Sequence, residues 1–221
     1  MMSAFLAILR KEIALFFNSL IGYLVMIIFL LGVGLFFWIF EGNILETGAA
    51  SLDALFAFGP WFLLVLAPAI TMRSFAEEFR GGTIELLLTR PITLWQLVLA
   101  KFLAASLLVA FALLPTLLYY LTVYLLSEPT APVDTGATWG AYIGLLATGM
   151  IFVGIGQFAS TLTDNQIVAF VLAMFLCFFF YAAFDFLSLL ASFGRWNDLV
   201  LQLGIQEHYR SLSRGVVDSR D

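Results

Sequence analysis

The sequence predicts an all-α, polytopic helical membrane protein, and three observations carry that prediction. Hydrophobic residues make up 62% of the 221-residue chain and charged residues only 11%, with a mean hydropathy of +1.03. Five stretches free of Asp, Glu, Lys and Arg (13–40, 54–72, 102–127, 135–163 and 165–184) reach or approach the ~20 residues a helix needs to cross a bilayer core. None of them alternates polar and apolar residues as a membrane β-strand would. A soluble domain carries about 25% charged residues, so these charges are too few to cover a folded surface in water. Chains this apolar do not stay disordered either. Ten basic residues against 15 acidic ones, with no basic run, argue against a nucleic-acid partner. A lone cysteine, Cys177, rules out a disulfide framework or a CxxC site. A lone histidine, His208, leaves little for metal or acid–base chemistry, and no cofactor or metal is expected.

The elements follow in order. Residues 3–18 place Phe5, Ile8, Leu9, Ile13 and Phe16 on one side of a helical wheel, with Arg10 and Lys11 on the flanks or back. That pattern fits an interfacial amphipathic helix. Glu12 falls near the centre of the apolar side; it either snorkels or pairs locally, or faces a partner. No small-residue cleavage site is present and the apolar run is too long for a signal peptide. Membrane spans are expected at 20–40, 54–72, 97–126, 138–162 and 165–185. Gly32, Gly34, Pro60, Pro68, Pro115, Gly144 and Gly154 inside them are compatible with helices in lipid, where neighbours satisfy freed backbone groups. Lys101, two turns into the third span, reads as a snorkelling interface residue. Tyr119, Tyr120, Tyr124, Trp38 and Trp139 fit an aromatic belt. Gly140, Gly144, Gly149, Gly154 and Gly156 allow close helix approach, within the chain or at a dimer seam. Cys177 reads as apolar packing. The rise from Gln166 to Asp185 is about 28 Å, so Asp185 sits near the outer surface, as an interfacial anchor or as part of a gate.

Helix starts are marked by three capping boxes, at Ser74–Glu77, Thr93–Gln96 and Thr163–Gln166. Gly81-Gly82 can end the short helix that Ser74 opens. Lys and Arg set the orientation. Residues 41–53 and 128–134 have none, whereas 73–101 holds Arg73, Arg80, Arg90 and Lys101 and the N-terminal segment holds Arg10 and Lys11. The N-terminus and the 73–101 loop are therefore expected in the cytoplasm. The tail fits this poorly, because five spans leave it outside although it carries Arg195, Arg210, Arg214 and Arg220. Either it leads to a sixth span or one of the five stretches does not cross.

The loop reading RSFAEEFRGGTIELLLTRPITLWQ (73–96) concentrates charge in one cytoplasmic connection. It is either a juxtamembrane elbow that fixes topology or a rigid knob that docks into another protein. Its string EEFRGGTIELLLTRPIT (77–93) resembles the cytoplasmic loop of ABC-2 type permeases. STLTDNQIVA (160–169) is similar to that family's turn between the fourth and fifth helices, and the tail 206–221 to the stretch before its sixth helix. Within the family the chain looks most like the gliding-motility-associated permease subunits.

The resemblance implies a single ABC-2 type transmembrane domain over 1–221, with a sixth span after residue 221. It implies a cytoplasmic coupling loop at 74–90 and an extracellular re-entrant or gate segment at 186–215. The docking residues for the ATPase subunit are then Ser74, Phe75, Glu77, Glu78, Phe79, Arg80, Gly82, Thr83 and Glu85, with Phe75, Phe79 and Leu86 as apolar anchors. The gate candidates are Asp185, Phe193 and Trp196. The implied partners are a pair of cytoplasmic ABC ATPase subunits, a second permease subunit in a homodimer or heterodimer, a large auxiliary subunit, and membrane lipid. The implied location is the bacterial cytoplasmic (inner) membrane.

No GxxxxGK[ST] sequence occurs, so the chain carries no phosphate-binding loop of that type for ATP and is not expected to be an enzyme. The expected function is a permease subunit that couples a separate ATPase to export, or to gliding-motility or secretion machinery. The alternative is a non-transporting membrane anchor that passes ATP-driven motion to partner proteins. A membrane-embedded enzyme would need convergent nucleophiles, acids or metal ligands, which the charged loop does not offer.

Overall fold

The computed structural model describes residues 2–40, 44–47, 50–88, 92–127, 133–190 and 204–213. Phe193, Trp196 and most of the expected gate segment lie outside the described residues, as does Arg90. The described residues form helices and no strand: α1 (Met2–Phe17), α2 (Leu20–Trp38), α3 (Ile44–Thr47), α4 (Asp53–Thr71), α5 (Ala76–Arg80), α6 (Thr83–Leu88), α7 (Leu94–Leu113), α8 (Leu117–Leu126), α9 (Thr135–Thr161), α10 (Gln166–Leu190) and α11 (Ile205–Ser213). Five helical runs are long and apolar enough to cross a membrane: α2, α4 with its extension into α5, α7 with α8, α9, and α10. The fold class is the one the charge-free stretches predict.

Burial divides these five runs. The apolar stretches of α4, α7–α8 and α9 are 56% buried, against 28% for α2 and α10. The first three therefore form the centre, and α2 and α10 flank it with one face turned outward. Met26, Phe29, Val33 and Phe37 of α2 are the buried positions, at the three- and four-residue spacing of a single helix face. Fully buried Phe37, Leu63, Val109 and Phe152 come from four different spans and meet in one core.

Three glycines of the α9 small-residue stripe pack against other helices of the chain. A Cβ on Gly149 would lie 2.7 Å from Val109 Cγ1 of α7, and one on Gly144 2.9 Å from Leu212 Cβ of α11. A Cβ on Gly156 would collide with Thr71 of α4. Without a hydrophobic force between helices in lipid, close backbone approach of this kind is what holds spans together.

The third span is broken rather than continuous. Pro115 lacks an N–H, and Leu114–Thr116 form a 3-10 turn between α7 and α8. Tyr142 of α9 donates to the Thr116 carbonyl at 3.0 Å, and Thr116 Oγ1 donates to the Leu113 carbonyl at 2.7 Å. A neighbouring helix thus satisfies backbone groups at the break, as a helix in lipid requires.

The capping expectations divide. Thr93 and Gln96 form the expected reciprocal box at the start of α7. At Thr163 the box is replaced by two shorter-range bonds. Thr163 Oγ1 accepts from Asn165 N at 3.2 Å, and Asn165 Oδ1 accepts from Ile167 N at 2.9 Å. Asn165 takes the capping role because the turn after α9 is too tight for a helix beginning at Thr163. At Ser74 there is no side-chain cap at all; what replaces it belongs to the site.

Chain direction puts α1, α5, α6 and the 162–165 turn at one end of the bundle, and α3 and α11 at the other. Both ends carry charged clusters.

Candidate coupling site

The site is built around α5, a single helical turn between α4 and α7. Gly82, at φ +64°, takes the left-handed conformation that ends α5 and lets α6 restart in a new direction. The backbone N–H groups at the start of α5, which have no partner within the helix, are not met by Ser74. Ser160, fully buried near the end of α9, supplies the acceptor instead. Its Oγ accepts from Phe75 N at 2.9 Å and Ala76 N at 3.0 Å, and donates to the Met72 carbonyl at 3.4 Å. The cap is tertiary, so α5 is fastened to α9 by the bond that starts it.

Lys101 fastens the other side. It is 2% exposed, which overturns the snorkelling expectation: the side chain turns inward because opposite charges wait there. Its Nζ lies 2.8 Å from Glu12 Oε1 of α1 and 3.0 Å from Glu78 Oε1 of α5. It also donates to the Ser74 carbonyl at 2.6 Å. An ammonium has three N–H donors, and all three are used. The same ammonium stands 5.1 Å from the centre of the Phe75 ring, a cation–π distance. Lys11 adds a second cation 3.6 Å from Glu78 Oε1, with its side chain half exposed. Two lysines thus face two glutamates, which is the condition under which buried charge is tolerated. Glu78 Oε2 is buried with no hydrogen-bond partner among the described residues.

Glu12 answers its own puzzle. It sits on the apolar side of α1 because that side packs on α7, where Lys101 is. Ile8 of α1, Phe75, Leu97 and Ala100 form a small apolar cluster beside the ion pairs. A cavity of about 160 Å³ next to them is lined by Glu12, Ser19, Arg73, Ser74, Glu77 and Lys101, among others. Arg73 Nη1 donates to Ser19 Oγ across it at 3.2 Å. Three elements far apart in sequence, α1, α5 and α7, therefore share one buried cation.

This geometry sorts the expected docking residues. Glu77, Arg80, Gly82, Thr83 and Glu85 are exposed, and so is Phe79 at 43%. Glu78 and Phe75 are buried and face inward. Within the chain, Lys101 holds the Glu78 carboxylate, and α1 and α7 pack on the Phe75 ring. Ser74 is half-buried, with its carbonyl on Lys101. The Leu86 side chain lies outside the described residues.

At the opposite end, Asp185 of α10 pairs with Arg210 of α11 at 3.1 Å. Arg210 also reaches Glu207 at 3.8 Å. Tyr209 donates to the Phe56 carbonyl of α4 at 2.6 Å. Burial pushes the Tyr209 phenol up from its ordinary range, which keeps it a donor. Asp185 is thus tied to the tail helix.

Sequence reasoning missed the Lys101–Glu12–Glu78 cluster and Ser160. Glu12 on an apolar face and Lys101 inside a span were each anomalous, with opposite signs, and pairing the two anomalies was the available signal. Ser160 had none.

A family model described as ABC-2 family transporter protein matches residues 6–221 of the chain. No curated protein matches it significantly.

Proposed function

The chain belongs to the ABC-2 family of transporter proteins, and from that premise we propose that α5 is the point where ATP-driven motion enters it. Family membership makes the chain a multi-pass membrane permease subunit of an ABC transporter, the partner of a cytoplasmic ATPase subunit and not the ATPase itself. In the proposed arrangement the N-terminus and the α5–α6 elbow face the cytoplasm of a bacterial cell, and the exposed face of Glu77, Phe79, Arg80, Thr83 and Glu85 seats in a cleft of the ATPase. Rim charges select and orient the partner, while the Phe79 ring supplies apolar contact. ATP binding draws two ATPase subunits together, and each carries its α5 as a rigid body. The lever moves α7 and α1 with it, and a second permease subunit moves likewise.

The observation that carries this reading is the buried Lys101 ammonium, whose three donors join α1, α5 and α7. A mere topology-fixing elbow has no need of such a joint. The resemblance of the loop and tail to gliding-motility-associated permeases supports a narrower role in gliding or secretion machinery, with a large auxiliary subunit. Charge reversal at the exposed pair, Glu77→Lys with Arg80→Glu, tests the docking. The account expects the ATPase to be lost from the purified complex while the permease itself stays folded. Full retention of the ATPase would remove α5 from the interface.

A further inference from the structure

A second concave feature lies beside α5, between α7 and α9. It is a groove of about 680 Å³, walled by Phe75, which precedes α5, Phe79 from α5, Leu97 and Phe102 from α7, and Gln157 and Phe158 from α9. That volume is within the ~300–1,000 Å³ range of ligand sites. The groove is apolar apart from Thr161, whose hydroxyl donates to the Phe158 carbonyl at 2.7 Å, and Gln157, whose side chain is out of place there. Gln157 is 5% exposed, and its Nε2 has no hydrogen-bond partner among the described residues. A buried amide donor left unpaired is costly, so its presence points to an acceptor supplied from outside the chain.

Depth identifies the acceptor. Gln157 lies four residues before the end of α9 at Thr161, about 6 Å along the helix axis. The polar interfacial layer of a bilayer is about 5–8 Å thick on each side of the hydrocarbon. The amide therefore sits where hydrocarbon gives way to the polar layer, the level of a glycerolipid's ester carbonyls. We propose that this groove is a binding site for a diacyl glycerolipid, its acyl chain lying against the Phe-rich walls and its ester carbonyl accepting from Gln157 Nε2. One wall is α5 itself, so a bound lipid touches the element proposed to carry the ATPase. The proposal requires that α7 and α9 cross the bilayer and that α9 ends at its polar edge. Loss of ATPase docking and loss of lipid binding are separate results.

The test compares ester with ether lipid on the purified transporter complex. Detergent-solubilised protein is incubated with diacyl phosphatidylglycerol or with its dialkyl ether analogue, which lacks the carbonyls, and retained lipid is counted by native mass spectrometry. The wild-type protein is expected to retain the ester lipid about three- to tenfold better, the worth of one hydrogen bond. Gln157→Leu should abolish the preference. Gly154→Leu should reduce retention of both lipids, because a side chain there enters the groove and its Cβ meets only Phe102, at an ordinary 3.8 Å. Equal retention of the two lipids by the wild-type protein overturns the proposal without reference to any variant. So does a Gly154→Leu protein that keeps its lipid but changes oligomeric mass, which would show that a second copy fills the groove.

Discussion

Replacing Lys101 with Met removes the cation that two carboxylates share. At separations of 2.8 and 3.0 Å, each pair carries about 6 kcal/mol of gross attraction at an effective dielectric of about 20. Desolvation offsets much of that, at several kcal/mol per buried ion. What the substitution exposes is the asymmetry: Glu78 stays buried and Glu12 partly buried with their partner gone, a loss of about 3–5 kcal/mol for a broken buried pair. Lys11, 3.6 Å from Glu78 and half exposed, compensates in part, which puts the expectation at the lower end, about 3 kcal/mol. Thermal unfolding of the purified complex in detergent should show a fall of several degrees in Tm. Neutralising all three positions (Glu12→Gln, Glu78→Gln, Lys101→Met) should recover most of that stability, since no charge is then left unpaired. A complex carrying the triple variant should still hydrolyse ATP at its ATPase subunit, but out of step with any movement of α7, because the joint between α5 and α7 is gone. A Lys101→Met protein that melts with the wild type would refute the reasoning.

Three further outcomes are expected. Ser160→Ala leaves Phe75 N and Ala76 N without their acceptor and should cost about 1–2 kcal/mol, the range for a lost helix cap; hydrogen exchange should accelerate at 75–80 and nowhere else. Gly156→Ala should lower the yield of folded protein by forcing α4 from α9, an overpacking cost of about 1–3 kcal/mol, whereas Gly154→Ala, with only Phe102 within 4 Å, should be silent by the same melting assay. Cysteines at Glu46 and Glu85 should react with impermeant thiol reagents from opposite sides of the membrane; labelling from one side would end the proposed topology.

The spans were legible because a bilayer imposes a length and forbids charge, and both constraints are one-dimensional. Thr93–Gln96 was legible because a capping box closes within four residues. Ser74–Glu77 has the same local pattern and fails, since the N–H groups at the start of α5 turn toward Ser160, 84 and 85 residues away, and the Glu77 side chain is exposed. Glu78 looked like a partner contact for the same reason. Nothing in its own segment shows that Lys101, 23 residues on, reaches back to it. Local signals named the coupling loop; the tertiary contacts decided which of its residues remain exposed to a partner.

The most direct test of the central claim is a disulfide or short-linker cross-link from a cysteine at Glu77 to the cytoplasmic ATPase subunit in native membranes. The account predicts a cross-linked permease–ATPase species from position 77, and none from a cysteine at the buried Glu78. A position-77 cysteine that captures no ATPase subunit, in a complex shown to contain one, would contradict it.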